Sequence, residues 1–478
     1  MARESGLVRG IGLRGAITLN MINMIGVGPF VTLPLIVLAM HGPAAILGWV
    51  LGAVLAACDG LVWAELGAAM PEAGGSYEYL RTIYGPARVG RYLSFLYIWQ
   101  LSFSAPLSIA SGCVGLAQYA GFVWPGLRRV WFSTQLPIPV PFVHTLPLTI
   151  RLGPGTLVAM GCCALAASLL YRNIESVTRF SGLLWLGVMG TMGCVIVTGL
   201  LHFHSSLAFD FPPGSFSFST EFFSGLGAAL LIATYDYWGA YNINFLGAEV
   251  RDPGRTIPKA IVWSVGLVAV LYLLLNTSVL GSMPWRDLNG ADARLSVAAV
   301  VVRRAYGALA GQVVALLVVW TAFSSVYALL LGYSRVPYAA ALDSNYFRVF
   351  ARVHPRHRIP HVSLLMLAGV SMLFCLLQLA DLVAALVVIR ILLQFLLQQA
   401  GVMVLRRTQP GIARPFRIWL YPLPPLMAIA GFLYILFGRP HFTRELFFAM
   451  VVVLTGTATY LARAQRRKEW PFAETGLM

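Results

Sequence analysis

The sequence of 478 residues is almost without lysine: Lys259 and Lys468 are the only two. A proline precedes the first and an arginine the second, so no loop ends in Gly-Lys, the arrangement that cradles the phosphates of ATP. An ATP-driven pump of that type is excluded. Acidic residues are scarce as well, 18 against 34 Lys and Arg, and charged residues make up 11% of the chain where a soluble domain carries about 25%. The six cysteines (Cys58, Cys113, Cys162, Cys163, Cys194, Cys375) fall in or beside apolar runs with no C-x-x-C and no paired spacing in a polar loop. Packing is their expected role, and no Cys/His metal framework is present. H-E-x-x-H and G-x-S-x-G are missing too, which argues against a membrane-embedded enzyme.

What the chain has in abundance is apolar sequence, 58% of residues, with a mean hydropathy of +0.76. That composition belongs to an all-α polytopic membrane protein. Twelve apolar segments are predicted, at 16–40, 44–68, 92–123, 154–171, 180–201, 222–249, 260–282, 308–334, 361–380, 382–405, 418–438 and 445–463. The first is too long and too interrupted by Gly and Pro for a cleaved signal peptide. Between Gly121 and Gly155 lies a proline-rich external loop (Pro125, Pro137, Pro139, Pro141, Pro147), too short for a domain. Sorting the 34 Lys and Arg residues by these spans puts 24 on one side, 9 on the other, and Arg390 within a span. The positive-inside rule makes the rich side cytoplasmic, so both termini are expected there, in a plasma (inner) membrane. The net charge of +16 is then topological, and nucleic acid is not an expected partner.

Two spans are irregular. In the sixth, Asp236 divides the run: 14 uncharged residues separate it from Glu221, and 12 more precede Glu249. Neither half spans a hydrocarbon core, which needs about 20 apolar residues as helix. Together they do, so one broken or locally unwound helix with a polar joint near mid-membrane is expected. Backbone released from helical bonding in a bilayer must face protein or a water-filled cavity, which makes the joint a candidate binding site. The first span carries Asn20-Met-Ile-Asn-Met-Ile-Gly-Val-Gly-Pro-Phe, where Gly26 and Gly28 weaken the helix and Pro29 removes a donor. Span 1 alone allows a kinked helix without a ligand or a second half-helix starting at Pro29 with its free amides facing the joint. Its position favours the second reading: spans 1 and 6 correspond if spans 1–5 and 6–10 are inverted repeats, and matched interruptions mark a transporter's central site.

Three loop motifs then become specific. Glu65-Leu-Gly-Ala-Ala-Met-Pro-Glu-Ala-Gly-Gly-Ser-Tyr-Glu-Tyr-Leu, Glu249-Val-Arg-Asp-Pro-Gly-Arg-Thr-Ile-Pro-Lys-Ala and Tyr333-Ser-Arg-Val-Pro-Tyr-Ala-Ala-Ala-Leu-Asp resemble loops of the amino acid, polyamine and organocation transporter superfamily, in that superfamily's order. The resemblance implies a LeuT-like fold, with ten helices in two inverted five-helix repeats plus two peripheral helices. The organisation expected is a cytoplasmic N-terminus (1–15), a first repeat (16–202), a second (222–405), spans 11 and 12 (406–464) and a cytoplasmic tail (465–478). It also implies a substrate site at the two breaks: Asn23, Ile25, Gly26, Val27 and Gly28 in the first, Ala233, Thr234, Tyr235 and Asp236 in the second, with Trp238 as gate or packing neighbour. Departures are visible. Val27 stands where the family has a small hydroxyl residue, and Val188 where proton-coupled members carry lysine. The Gly-Pro-Phe and Asp-Pro-Gly-x-Thr-x-Pro-Lys-Ala runs also look similar to the eukaryotic polyamine-uptake branch.

Four further charges are candidates for coupling or gating: Asp59, Glu65, Glu249 and Arg390. An intramembrane ionisable group is expensive and marks function by default. Asp59 reads as a packing or proton-relay acid; Arg390, about eight residues into span 10 after Asp381, reads as snorkelling, as paired with a carboxylate such as Asp59, or as touching substrate. Glu65 and Glu249 read as ion-pair partners of Arg81, Arg251 or Arg255. The function expected is alternating-access transport of an amino acid held at the two breaks, with no cofactor, no metal and proton coupling open. A polyamine or organic cation carrier of the same fold is the alternative, and a channel or non-transporting receptor the reading from another class. Oligomeric state is not legible.

Overall fold

The computed structural model describes residues 6–140, 143–378, 387–439 and 442–472. Arg3, Pro141, Asp381, the start of the expected tenth span at 382–386 and the tail after residue 472 lie outside them. The chain folds mostly as helices, in chain order α1 (Leu13–Met24), α2 (Gly28–Ala39), α3 (Ile46–Ala69), α4 (Ser76–Ile83), α5 (Val89–Val123), α6 (Pro154–Leu170), α7 (Ile174–Leu201), α8 (Ser205–Ala208), α9 (Thr220–Tyr237), α10 (Asn242–Phe245), α11 (Pro253–Ser282), α12 (Ala291–Tyr306), α13 (Ala308–Tyr333), α14 (Arg335–Leu342), α15 (His361–Phe374), α16 (Val387–Thr408), α17 (Leu423–Phe437) and α18 (Phe442–Arg467).

Seven helices among the described residues are long and apolar enough to cross a membrane, or eight when α1 and α2, bent by 46°, count as one span. Three apolar helices, α6, α15 and α17, are shorter. The two interrupted segments sit at the centre. Helix α1 packs on α7, α11 and α13, α2 on α9 and α12, and α9 on α3, while α18 lies outside against α5. Burial follows this arrangement: Leu19, Ile22, Phe30, Leu33 and Ile36 of the first span are fully buried, whereas α7 and α11 turn Leu186, Leu201, Trp263 and Val270 outward.

The structure differs from the sequence reading in one loop, adds helices outside the expected spans and decides the form of the sixth span. The proline-rich external loop is a β-hairpin, β1 (Phe132–Val140) against β2 (Val143–Leu152), with a two-residue third strand, β3 (Leu377–Gln378), on β2. Pro137 pairs with Pro147 and the register shifts beside Pro139. Prolines cannot donate to a ladder, and they are accommodated where no bond is required or where a bulge relaxes the pairing. The helical turns α4, α12 and α14, outside the expected spans, were hidden because each is short or bounded by arginine. Finally, the sixth span takes the locally unwound form and not that of two half-helices. Ser219 caps α9 by accepting the amide of Phe222 at 3.2 Å, α9 ends at Tyr237, and the remainder to Val250 is turns with only the single turn α10.

Candidate functional site

The first break is built by Gly26 to Pro29. Helix α1 closes with the Ile25 amide donating to the Met21 carbonyl at 2.8 Å and Gly26 to Met24 at 3.1 Å. The amides of Val27 and Gly28 then find no backbone acceptor among the described residues, and Pro29, in the first turn of α2, has none to offer. Free amides at a helix start carry partial positive charge. The glycines are required by approach distance: a Cβ on Gly28 would collide with the Asp236 carboxylate, and one on Gly26 would sit 2.9 Å from the Ser325 hydroxyl.

The second break starts at Trp238, whose extended backbone ends α9, and turns at Gly239 with φ +126, a region that glycine enters without steric cost. Two asparagines one helical turn apart on α1 tie the breaks together. Asn20 Oδ1 accepts the Ile243 amide at 3.0 Å, and Asn23 Nδ2 donates to the Gly239 carbonyl at 3.4 Å. The Tyr272 hydroxyl lies 2.9 Å from the Met24 carbonyl and 3.2 Å from that of Asp236, so it donates to the open end of either segment. Asn20 was not a site candidate from the sequence; its three-residue spacing from Asn23 was the signal available.

Between the breaks lies a cavity of about 130 Å³. Asn23, Gly26, Val27 and Gly28 line it from the first break, Tyr235, Asp236, Trp238, Gly239 and Tyr241 from the second, Ser108 and Ser111 from α5, Ser325 and Tyr333 from α13, and Arg390 from α16. Asp236 is 4% exposed and accepts one hydrogen bond, from the Thr32 hydroxyl of α2 at 2.5 Å. The Oδ1 of Asn23 and the indole N–H of Trp238 are buried without a hydrogen-bond partner among the described residues. One end of this cavity therefore offers amides to an anion, and beside it stand a carboxylate and an amide oxygen suited to a cation.

Matches to known proteins fit this geometry. Residues 11–460 match the family model described as amino acid permease. The chain belongs to that family. It is 26% identical to the serine/threonine exchanger SteT of Bacillus subtilis, over 91% of each chain. Identity is 24% with the branched-chain amino acid permease BcaP of the same organism, over 98% of this chain and 95% of that one. It is 26% identical to the human Asc-type amino acid transporter 1, over 91% and 82%. The permease is thus an integral membrane transporter and not an enzyme.

Not every residue singled out from the sequence of this permease reaches the cavity. Ile25 is fully buried beside the break, and Ala233 packs toward Gly52 of α3. Thr234 lines a separate, smaller cavity of about 10 Å³ next to Asp59. The expected joint at 233–236 was set early because sequence marks the charge, while the helix persists to Tyr237. Asp59 does not meet Arg390. It accepts from Trp63 Nε1 at 3.1 Å and Gln399 Nε2 at 2.6 Å, and Trp238 and Tyr241 stand between its small cavity and the large one, lining both.

Glu65 and Glu249 are ion-paired, but none of Arg81, Arg251 and Arg255 reaches either. Glu65 binds Arg406, lies 3.8 Å from Arg414 and accepts the Ile418 amide at 2.8 Å. Glu249 is clamped by Arg335 through Nε at 2.8 Å and Nη2 at 3.0 Å. Arg81 binds Glu78 and Asp343 instead, and Arg251 binds Glu175. Arg390, 6% exposed, lines the cavity itself, donating to the Ser108 hydroxyl at 3.2 Å and sitting 5.8 Å from the ring centres of Trp238 and Tyr333. Trp238 in turn stacks on Phe395 at 4.8 Å.

Proposed function

We propose that the permease is a secondary-active amino acid transporter whose substrate lies between the two breaks. The observation that carries this reading is the pairing of chemistries in one cavity: the acceptor-free amides of Val27 and Gly28 suit a carboxylate, and Asp236 with the vacant Asn23 Oδ1 suits the adjacent ammonium. A free amino acid presents those two groups one carbon apart. The names of the relatives, a serine/threonine exchanger and a branched-chain amino acid permease among them, support the same substrate class.

In this reading α6, α9, α15 and α17 cross the bilayer with the longer helices, giving twelve spans in a LeuT-like arrangement with both termini cytoplasmic. Residues 16–202 and 222–405 are the two repeats, each opening on an interrupted segment. Transport proceeds by alternating access, the pair α1–α2 with α9–α10 rocking against α5 and α13; a ligand drives such a change only through unequal affinity for the two states. Asp59 and Asp236, buried carboxylates with no cationic partner among the described residues, are the groups a coupling proton would load. The polyamine alternative is disfavoured by Arg390, a fixed cation in the wall of the same cavity.

The test is uptake by purified full-length protein in proteoliposomes, with labelled leucine, alanine, arginine, glutamate and putrescine, each with and without an imposed pH gradient. Saturable uptake of an amino acid is expected. Putrescine as the sole substrate would overturn the assignment.

A further inference from the structure

Arg390 is a buried cation inside an apolar bundle, and among the described residues it has no acidic partner. Of its five N–H donors one is committed, to Ser108. Arg335, the other arginine buried this deeply among the described residues, is paired with the Glu249 carboxylate. Removing a charge from water without a counter-charge is costly, and an intramembrane ionisable group in a cavity wall marks a functional site by default.

Which anion is decided by the placement of the other groups. The free amides of Val27 and Gly28 and the carboxylate of Asp236 are neighbours, since a Cβ on Gly28 would touch Asp236. They satisfy the α-carboxylate and α-ammonium together. Arg390 comes from another wall, α16, anchored to α5 and set beside the rings of Trp238 and Tyr333. On that side a recess of about 20 Å³ runs between Arg390, Tyr235 and three serines of α5, Ser104, Ser108 and Ser111, spaced to share one helix face. Ser104 and Ser108 donate within α5, to Gln100 and to the Ser104 carbonyl, and Leu107 and Val387 complete the lining, so what the recess offers to a side-chain carboxylate is the charge of Arg390 and the Ser111 hydroxyl.

We propose that the substrate is a dicarboxylic amino acid, with its side-chain carboxylate bound by Arg390, which Ser108 anchors, and by the hydroxyl of Ser111. This rests on the amino acid reading above and deepens it. The discriminating probes are L-glutamate and L-aspartate against their amides, L-glutamine and L-asparagine, which match them in shape and differ in charge.

In competition uptake with full-length protein in proteoliposomes, the wild type should prefer an acid over its amide by about 100-fold or more, the scale on which losing one partner of a buried charge pair is felt. R390Q should abolish that preference, read as the ratio of glutamate to glutamine uptake, and R390K should keep part of it. S108A, which leaves the charge in place, should weaken glutamate several-fold and guards against a poorly folding R390Q. A wild type that prefers glutamine, or an R390Q that weakens acids and amides equally, would overturn the inference and leave the amino acid reading standing. Putrescine uptake with no response to any of the four would remove both.

Discussion

Asp236 and Gly28 touch from opposite breaks, and that contact makes each the sharpest probe of the other. Asp236→Asn keeps shape and the hydrogen bond to Thr32 but removes the charge; substrate affinity should fall by about 2–5 kcal/mol if an ammonium binds there. Binding to the detergent-purified variant, read as ligand-induced thermal stabilisation, gives the answer, and an unchanged shift would remove Asp236 from the site. Gly28→Ala acts from the other side. Its backbone is not in the left-handed region, so the damage comes from the added methyl pushing on the carboxylate, and uptake should drop while the protein remains folded. A variant transporting normally would show that the two walls yield easily.

At the level of elements, interrupted helices need partners for the backbone groups they release. Here Asn20 supplies one by accepting the Ile243 amide, fixing the turn α10 against α1. Asn20→Ala leaves that buried amide unpaired and should cost about 1–3 kcal/mol, seen as a lower thermal midpoint. Substrate binding should weaken in parallel, because the same turn follows the residues that close the cavity. The first break was legible from sequence because Gly26, Gly28 and Pro29 act on their own backbone. The second was legible in existence and displaced in position: a carboxylate announces cost in a membrane, but the chain leaves the helix at Trp238 and Gly239. The hairpin at 132–152 is not legible because prolines at alternate positions read as loop, and only the facing strand shows where their missing donors are not needed.

Across the whole molecule, buried ion pairs tie distant segments together at the ends of the bundle. Glu65 binds Arg406, 341 positions away, and Glu249 holds Arg335 where the second break runs into α11. Arg335 is 1% exposed, so Glu249→Gln strands a buried cation and should destabilise the protein by about 3–5 kcal/mol. The thermal midpoint of the purified variant measures this, and the double change of Glu249→Leu with Arg335→Met should recover much of the loss. Sequence indicated that both glutamates would be paired and named the wrong arginines, since partner choice across separations of 86 and 341 positions depends on how helices pack.

Composition, the near absence of lysine and the spacing of charges determined by themselves that this chain is a helical membrane protein with two interrupted segments, and the loop motifs pointed to its family. These are local properties: hydrophobic run length, backbone freedom and the cost of a charge in hydrocarbon are all written along the chain. Packing alone decided that Asn20 and Asn23 join the breaks, that Thr234 turns away from the cavity and Asp59 from Arg390, and that Arg390 faces the same space as Asp236. Such pairings are set by three-dimensional proximity, and no local pattern encodes which side chain ends opposite which.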